Sequence, residues 1–493
     1  MPADVILINP CYVYPPFDLA ALKDDPHVIG LPSDEFLYPP VGLLTIGGAL
    51  KRAGFAVEGI DCNTEPSTIE ALAKRCEGAK VVGISLLVAN LRSTYQLVQQ
   101  MKGRGYEVVV GGAHPTVEPA VIAKLGLRYG IAGEGEIAFV QLCRALIRGE
   151  GRPEDIDGII IAEDGALGHC RPPKIIMDPS PWGLDRSLMR KGIYKLPFAG
   201  RTEVALASRG CPYTCTFCYC SSASPNQMFN TMRWVDVDVL VRDMVDTARR
   251  WKPNYIEMVD ETFTVSKKHT MELCQALIEA KFDTPWGAKT RLDLLDEELI
   301  DALSRAGMRK IGFGLESGVY DHRKAMHKDF TDAQAEYVFR TAQAYGMETA
   351  CTVIFGHPDE TRVDMQTSID FVKAVHVDYV EFHIMVIIPG TPLFDRAVAD
   401  GKISEDVFDR FMLGEVAYPE YSPGDITPRE MRQIHHRAIR EFYFRPAYFA
   451  QALRRLRRRP SDLIQYAKTA RSLVDRSHLT RPVWAVGRRR KGG

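Results

Sequence analysis

The chain alternates strands and helices in two long stretches, and this alternation is the feature that most restricts its fold. In residues 1–150, β-branched segments such as Val5–Asn9 and Lys80–Val88 are separated by segments with helical periodicity such as Leu91–Lys102. In residues 201–400 the same alternation gives six further strand–helix units. Strands that are joined through helices pair in parallel, because the crossover returns the chain to the same end of the sheet. The sequence therefore predicts an α/β protein with two parallel sheets.

The two stretches differ in length and unit count, and we predict a different architecture for each. Residues 1–150 have the pattern of a doubly wound sheet. Residues 201–400 suit a partial (β/α)6 barrel better than a complete eight-fold one, because they hold six units. Residues 151–200 combine a small hairpin with a Pro-rich segment, and we predict a linker there. Residues 401–493 lose the alternation and are predicted to be a helical, basic C-terminal region.

Three cysteines with the spacing C-x3-C-x2-C follow the first strand of the second stretch. They are Cys211, Cys215 and Cys218. Thiolates are the usual protein ligands of iron–sulfur clusters, and one short loop can reach three irons of such a cluster. A structural zinc site normally needs four protein ligands, and no second C-x2-C or histidine pair follows nearby. The triplet therefore predicts a cluster with one iron open to a small molecule, and Cys220, which lies off the spacing, is expected to be a bystander. Chance clustering of buried cysteines is the simpler alternative.

In this spacing and position the triplet resembles the radical S-adenosylmethionine superfamily. The resemblance implies a [4Fe-4S] cluster whose open iron binds the amino and carboxylate groups of S-adenosylmethionine. It also implies an external one-electron reductant of the flavodoxin or ferredoxin type, and cleavage of the sulfonium to a 5′-deoxyadenosyl radical. Further S-adenosylmethionine contacts are implied at matching positions of the loop and the strand ends. These are Phe217 for the adenine, Asp260 and Glu261 for the ammonium, Arg291 for the carboxylate, and Glu316 for the ribose or another polar group.

The first stretch resembles the cobalamin-binding, Rossmann-like domain that precedes many radical S-adenosylmethionine barrels. The resemblance rests on Tyr38–Leu44, Ile84–Leu87, Gly111–His114 and Gly133–Glu136. It implies that the cofactor's dimethylbenzimidazole tail lies at the carboxyl ends of the strands, where open α/β sheets bind ligands. The residues expected there are Ser85, Leu87, Gly111, Gly112 and Asn63.

One departure from the cobalamin pattern concerns the ligand of cobalt. Many cobalamin proteins supply a histidine from an Asp-x-His-x-x-Gly motif, but this chain has Asp61-Cys62-Asn63-Thr64-Glu65 at that place. Asn63 takes the position of the histidine, so a histidine-ligated cobalt is not expected there. His114 is another candidate, although a lone loop histidine is more often a supporting group.

The two resemblances together imply a cobalamin-dependent radical S-adenosylmethionine enzyme. The chemistry they favour is transfer of a methyl group to an unactivated carbon, through a 5′-deoxyadenosyl radical and methylcobalamin. One alternative is a radical oxidative cyclase or rearrangement enzyme that resembles the anaerobic magnesium-protoporphyrin monomethyl ester cyclase. An alternative of another class is a non-catalytic corrinoid-binding protein with a structural cluster. The resemblance identifies no catalytic side chain, and the substrate is expected to be a small molecule or a lipid.

The net charge of −1 conceals a basic C-terminus. From Arg440 to Gly493 the chain has 15 lysines and arginines against three acids. Such a tail suits an anionic partner, and contact with the surface of a membrane would favour a lipid substrate. A solvated helical cap is the simpler alternative. No nucleic-acid partner is expected, because the sequence contains no recognisable nucleic-acid-binding motif.

The expected compartment is the cytoplasm, with peripheral membrane contact as a variant. The chain has no apolar run of about 18 residues, and its N-terminus lacks the basic region of a secretion signal. In a reducing compartment the 11 cysteines favour metal binding over disulfides.

Overall fold

A computed structural model describes residues 3–10, 38–64, 68–196, 199–220, 229–416, 418–458 and 463. The described chain builds two seven-stranded sheets and a separate two-stranded one. The last part of the basic tail, including Arg488–Lys491, lies outside the described residues, and the tail is therefore followed only to α16 below.

The first sheet has the strand order β2-β1-β3-β4-β5-β6-β7. The first five strands in the chain pair in parallel, with Val5 opposite both Val57 and Val81. The strands are β1 (Val5–Asn9), β2 (Val57–Asp61), β3 (Val81–Ser85), β4 (Glu107–Gly111), β5 (Tyr129–Ile131), β6 (Ile159–Glu163) and β7 (Ala166–Cys170). The hairpin of β6 and β7 pairs antiparallel with β5 and so extends this sheet.

Helices cover both faces of the first sheet. They are α1 (Val41–Arg52), α2 (Ile69–Arg75), α3 (Leu91–Met101), α4 (Ala113–Val117), α5 (Val121–Leu125) and α6 (Gly135–Cys143). The alternating strand residues Ile6 and Ile8 pack into one apolar core, while Val5 and Leu7 pack into the core on the opposite face. The prediction of a doubly wound sheet is therefore confirmed.

The second sheet has the strand order β16-β15-β14-β13-β12-β9-β8. Its six long strands are parallel, and the short β8 pairs antiparallel with β9. The strands are β8 (Lys195–Leu196), β9 (Gly200–Ala205), β12 (Tyr255–Met258), β13 (Trp286–Thr290), β14 (Met308–Glu316), β15 (Glu348–Phe355) and β16 (Tyr379–Ile384). Strands β10 (Ser208–Arg209) and β11 (Arg233–Trp234) form the small antiparallel sheet. The prediction of a six-unit partial barrel is confirmed.

Six helices follow the strands of the second sheet, and five of them share a single apolar core with it. They are α7 (Val237–Trp251), α8 (Lys267–Glu279), α9 (Glu297–Arg305), α10 (Tyr320–Ala325), α11 (Asp332–Ala344) and α12 (Arg362–Ala374). Five of them begin at a side chain that accepts a hydrogen bond from the first turn, which satisfies a backbone donor that the helix leaves unpaired. These N-cap residues are Asp236, Ser266, Asp296, Thr331 and Thr361.

The described chain beyond β16 is helical, in line with the helical region predicted for residues 401–493, and it packs against both sheets. Its helices are α13 (Pro392–Ala399), α14 (Val407–Leu413), α15 (Pro428–Tyr443) and α16 (Pro446–Arg458). Phe408 and Phe411 of α14 join a core of the first sheet, whereas Ile434 and Phe442 of α15 join the core of the barrel. In the described part of the chain, no helix has the length and apolar character needed to cross a membrane.

Candidate functional site

The cysteine triplet lies on a loop that β10 and β11 close. The backbone N–H of Cys211 donates to the carbonyl oxygen of Phe229 at 2.8 Å, and that of Cys218 donates to Cys215 at 3.1 Å. Gly210 has a φ of 93°, and a Cβ atom there would overlap the carbonyl oxygen of Thr231. A residue with a side chain would therefore displace the loop just before its first cysteine.

The chemistry of the three thiols fits an iron–sulfur cluster. All three are free and partly exposed, and each lies close enough to another of the three to shift its pKa. Burial raises the pKa of Cys211 and of Cys215, while a hydrogen bond with Cys220 lowers that of Cys218. No three metal-binding side chains among the described residues converge on a single ion. That result is compatible with a cluster, because each thiolate of a cluster binds a different iron.

Arg291 lies beside the cysteine loop. Its guanidinium carbon is 4.1 Å from the centre of the Tyr213 ring, and Nη1 is 3.8 Å from Sγ of Cys215. Nη2 is 2.9 Å from a carboxylate oxygen of Asp293, so the charge of Arg291 is already paired. The structure thus places this residue next to the thiols and fixes its side chain by stacking and by an ion pair.

Phe217, on the same loop, packs against apolar residues between the barrel and α13. The buried residues of that cluster are Met326, Met385, Ile387, Leu393, Ala397 and Tyr421. The backbone N–H of Leu393 also donates to the carbonyl oxygen of Thr216 at 3.1 Å. The last turn of the cysteine loop is therefore held by α13 as well as by the barrel.

The neighbouring acids Asp260 and Glu261 differ in what they contact. Asp260 is buried and accepts hydrogen bonds from the backbone N–H of Ala207 at 3.2 Å and the hydroxyl of Ser208 at 2.5 Å. Burial raises the pKa of Asp260 to about 7. Glu261 instead lines the cavity described below. Asp260 therefore joins β12 to the chain that leads into the cysteine loop, and Glu261 is the acid that a ligand can reach.

Glu316 ends β14 in a backbone conformation with a φ of 64°. One of its carboxylate oxygens is 2.6 Å from Nζ of Lys328, and the other accepts a hydrogen bond from the Thr352 hydroxyl at 2.6 Å. Both oxygens thus have protein partners, and any contact with a ribose hydroxyl has to use their remaining lone pairs.

A cavity of about 690 Å³ lies between the carboxyl ends of the first sheet and the barrel. All five residues that the sequence assigns to the cobalamin pocket line it, namely Ser85, Leu87, Gly111, Gly112 and Asn63. Its opposite wall includes Leu206, Arg209, Val259 and Glu261 from the barrel side. A volume of this size suits a large organic cofactor or substrate.

Two glycines in the wall of this cavity allow close packing behind it. Gly112 has a φ of 115°, and a Cβ atom there would lie 2.7 Å from the carbonyl oxygen of Leu86. A Cβ atom on Gly83 would lie 2.9 Å from side-chain atoms of both Leu7 and Phe139. Both glycines therefore let the wall pack closely against its neighbours, and the largely apolar lining of the cavity suits the tail of cobalamin.

The loop that lacks the cobalt-binding histidine is held by hydrogen bonds around Asp61. The carboxylate of Asp61 accepts hydrogen bonds from the side chains of Asn63 at 2.9 Å, Asn9 at 3.0 Å and Tyr194 at 3.0 Å. His114 is buried beside Phe408 and is absent from the lining of the cavity, and burial lowers its pKa to about 4. The structure thus places Asn63, rather than His114, at the pocket.

Ion pairs that the sequence did not predict join the two walls of the cavity. Arg209 contacts Glu134 at 2.9 Å and Glu136 at 2.7 Å, and Arg233 contacts Glu134 at 2.6 Å. All four side chains are at least 88% buried and line the cavity. Because Arg209 is two residues before Cys211, this network fixes the cysteine loop relative to the first sheet.

We expect Glu134→Gln to lower the free energy of unfolding by about 3–5 kcal/mol, because it removes the carboxylate that pairs with the buried Arg233 and leaves Arg209 with Glu136 alone. Chemical denaturation of the purified protein measures this change. Glu77→Gln is the matched control, since Glu77 pairs with Arg104 at the surface and its loss should cost less than about 1 kcal/mol. Equal effects of the two substitutions would contradict the role given to Glu134.

Comparison with known families and structures matches these two halves separately. Residues 28–143 match the B12 binding domain, and residues 206–372 match the Radical SAM superfamily. An uncharacterized methyltransferase of Pyrococcus horikoshii is 26% identical, with 83% of this chain and 88% of the relative covered. The anaerobic magnesium-protoporphyrin IX monomethyl ester cyclase of Rubrivivax gelatinosus is 24% identical, with coverages of 73% and 66%.

Among solved structures, the fold is similar to that of the radical S-adenosylmethionine methyltransferase TsrM of Kitasatospora setae, which was determined with cobalamin and a [4Fe-4S] cluster bound. The TM-score is 0.69 at 18% identity, and 91% of this chain and 90% of TsrM are covered. The cobalamin-dependent radical enzyme OxsB gives a TM-score of 0.68 at 16% identity, with 97% of this chain and 72% of OxsB covered.

The matched barrel and its cysteine loop form a radical S-adenosylmethionine domain. A B12 binding domain precedes that barrel, and this combination of domains is the one that the sequence predicted.

Proposed function

We propose that the protein is a cobalamin-dependent radical S-adenosylmethionine methyltransferase that acts on an unactivated carbon. The observation that carries the proposal is a cavity that both domains share, since one of its walls is the B12 binding domain and the other adjoins the cysteine loop. Cobalamin bound at the first wall would donate the methyl group, and the cluster at the second wall would generate the radical. Both can reach the same substrate only where the two walls face each other.

The chain's own residues have distinct tasks in this proposal. Cys211, Cys215 and Cys218 hold the cluster, and Glu261 faces the space where S-adenosylmethionine or substrate binds. Gly111 and Gly112 give the backbone a close approach to the cofactor tail. When bound, the cluster with S-adenosylmethionine supplies a 5′-deoxyadenosyl radical, and cobalamin supplies the methyl group. The protein orients these groups and excludes water from the space between them.

Related proteins of two activities support the class of enzyme. Besides the Pyrococcus protein, a bacteriochlorophyllide d C-12(1)-methyltransferase of Chlorobaculum tepidum is 24% identical, with 67% of this chain and 68% of the relative covered. The similarity to the magnesium-protoporphyrin cyclase keeps oxidative ring closure as the second candidate.

The decisive experiment mixes the reconstituted protein with a one-electron reductant and S-adenosylmethionine that carries a deuterated methyl group. An extract of the cells that contain the protein provides the substrate. A product that is heavier by the labelled methyl, together with 5′-deoxyadenosine, supports methyl transfer. Formation of 5′-deoxyadenosine with a product that carries no label supports ring closure. Absence of 5′-deoxyadenosine under all conditions supports a binding protein.

We also propose an external flavodoxin- or ferredoxin-type reductant and a location in the cytoplasm. Among the described residues, peripheral membrane contact would use the exposed side of α16, where Phe449, Leu453 and Arg454 lie. Arg455 does not belong to that side, because it pairs with Asp378 and stacks over Tyr379.

A further inference from the structure

Arg291 follows directly on β13, at the end of the barrel strand that lies beside the cysteine loop. Its side chain is only 8% exposed, and a buried guanidinium needs a partner for its charge. Asp293 is this partner, because Nε and Nη2 of Arg291 donate to its two carboxylate oxygens, each at 2.9 Å. Two parallel donors are what an arginine offers to a carboxylate, so the carboxylate of a ligand does not have this pair of donors at its disposal.

The third nitrogen of the guanidinium, Nη1, points toward the cysteine loop. It donates to Sγ of Cys215 at 3.8 Å and to the carbonyl oxygen of His327 at 3.4 Å. The ring of Tyr213, which belongs to the same loop, stacks on the guanidinium with its centre 4.1 Å from the carbon atom. Each nitrogen of the guanidinium thus has an acceptor in the protein, and one of these acceptors is a predicted ligand of the cluster.

Lys328 is a second cation near Cys215, but its contacts are different. Its Nζ donates to a carboxylate oxygen of Glu316 at 2.6 Å and to the carbonyl oxygen of Gly314 at 3.0 Å. Among the hydrogen bonds of the described residues, Arg291 is the cation that donates to a sulfur of the triplet. A change at Arg291 therefore acts on Cys215 directly, whereas Lys328 acts from a longer distance.

A donor to a ligand sulfur and a charge beside it both change the reduction potential of an iron–sulfur cluster. The external reductant adds one electron, so the reduced cluster carries one more negative charge than the oxidised cluster. A cation and an N–H group next to a ligand sulfur stabilise the more negative form, and the potential rises. The carboxylate of Asp293 has the opposite sign, so its effect on the potential is opposite.

We propose that Arg291 raises the reduction potential of the cluster through its contact with Cys215, and that Asp293 orients Arg291 and limits the rise. This role takes the place of the S-adenosylmethionine carboxylate contact that the resemblance implied for Arg291. It makes the transfer of one electron from the external reductant to the cluster more favourable, and this transfer moves no proton and forms no bond. The proposal rests on the cluster of the cysteine loop and is independent of methyl transfer.

The test is a redox titration of the cluster-loaded protein without S-adenosylmethionine, in which electron paramagnetic resonance measures the reduced cluster. At a fixed potential, Arg291→Met should lower the ratio of reduced to oxidised cluster by roughly 10-fold, because it removes both the cation and the donor. For a one-electron couple, that ratio corresponds to a fall of about 59 mV. Arg291→Lys keeps the charge but lacks the planar set of donors, so it should give a smaller fall.

Asp293→Asn is the complementary variant. It keeps the guanidinium and removes the opposing carboxylate, so the ratio of reduced to oxidised cluster should rise. A loss of structure alone does not predict opposite shifts from the two members of one ion pair. Arg305→Met and Asp301→Asn are the matched controls, since these residues form an ion pair at 2.8 Å on the surface of α9, and both should leave the potential unchanged.

Binding of radiolabelled S-adenosylmethionine to the oxidised, cluster-loaded protein separates this role from a contact with the carboxylate. Arg291→Met should bind it as tightly as the original protein. Iron content and melting temperature show whether each variant is loaded and folded, and Asp293→Asn tests the proposal if Arg291→Met loses its cluster. The proposal is overturned if loaded Arg291→Met keeps the original potential, or if loaded Asp293→Asn does not raise it. Because the titration involves no turnover, failure of methyl transfer in the labelling experiment leaves this result interpretable.

Discussion

Replacing Cys215 with alanine should reduce the cleavage of S-adenosylmethionine to 5′-deoxyadenosine by more than ~100-fold, since even the groups that support metal ligands typically contribute about 10–100-fold. Two thiolates cannot hold the cluster at three corners, so the open iron is no longer placed beside Arg291 and Glu261. Chromatographic measurement of 5′-deoxyadenosine with anaerobic protein and dithionite tests this result, and iron analysis of the same sample reports the cluster.

Two other cysteines show whether the effect belongs to the triplet. Cys170 is exposed on β7 at the edge of the first sheet, so Cys170→Ala should retain both iron and cleavage. Cys220 is buried next to Cys218, and we expect Cys220→Ala to retain the cluster as well. Full iron content and full cleavage in Cys215→Ala would show that the triplet is not the ligand set, and loss of iron in Cys220→Ala would add a ligand to it.

The sequence predicted the long parallel strands to within a few residues, because β-branched segments such as Val81–Ser85 are buried on both faces and carry an unambiguous pattern. The short helices α4 and α5 were not predicted. Each is only five residues long, so neither can show a helical period, and tertiary contacts decide their conformation. The packing of α14 on the first sheet could not be predicted either, because the sequence of an amphipathic helix does not indicate which distant core it packs against.

The site shows the same division between local and distant information. The cysteine spacing and the glycine pair at Gly111 are local, and they indicated the two pockets. The ion pairs of Glu134 connect residues 75 and 99 positions apart, and no pattern near Glu134 names Arg209 or Arg233 as partners.

Introducing a tryptophan at Gly111 should weaken the binding of cobalamin by more than ~100-fold, because a densely packed site cannot absorb the volume of an indole that occupies the cofactor's place. Gly111 ends β4 on the same face as Val109, and both line the cavity. A Cβ atom at Gly111 meets only ordinary contacts, with the carbonyl oxygen of Ile131 at 3.5 Å, so the backbone accepts a side chain there. Titration of the protein with hydroxocobalamin, followed by absorbance, measures the change.

The expected pattern of activities separates the two cofactors. Gly111→Trp leaves the cysteine loop untouched, so it should keep its iron and still cleave S-adenosylmethionine while transfer of the labelled methyl group stops. Gly111→Ala is the matched control, since a single methyl group fits beside Ile131 and should change cobalamin affinity by less than about 10-fold. Tight cobalamin binding by a folded Gly111→Trp variant would show that cobalamin binds elsewhere. The proposal that this cavity brings cobalamin next to the cluster would then be wrong. Loss of both activities in that variant would instead show that the two walls of the cavity fold as one unit through Arg209 and Glu134.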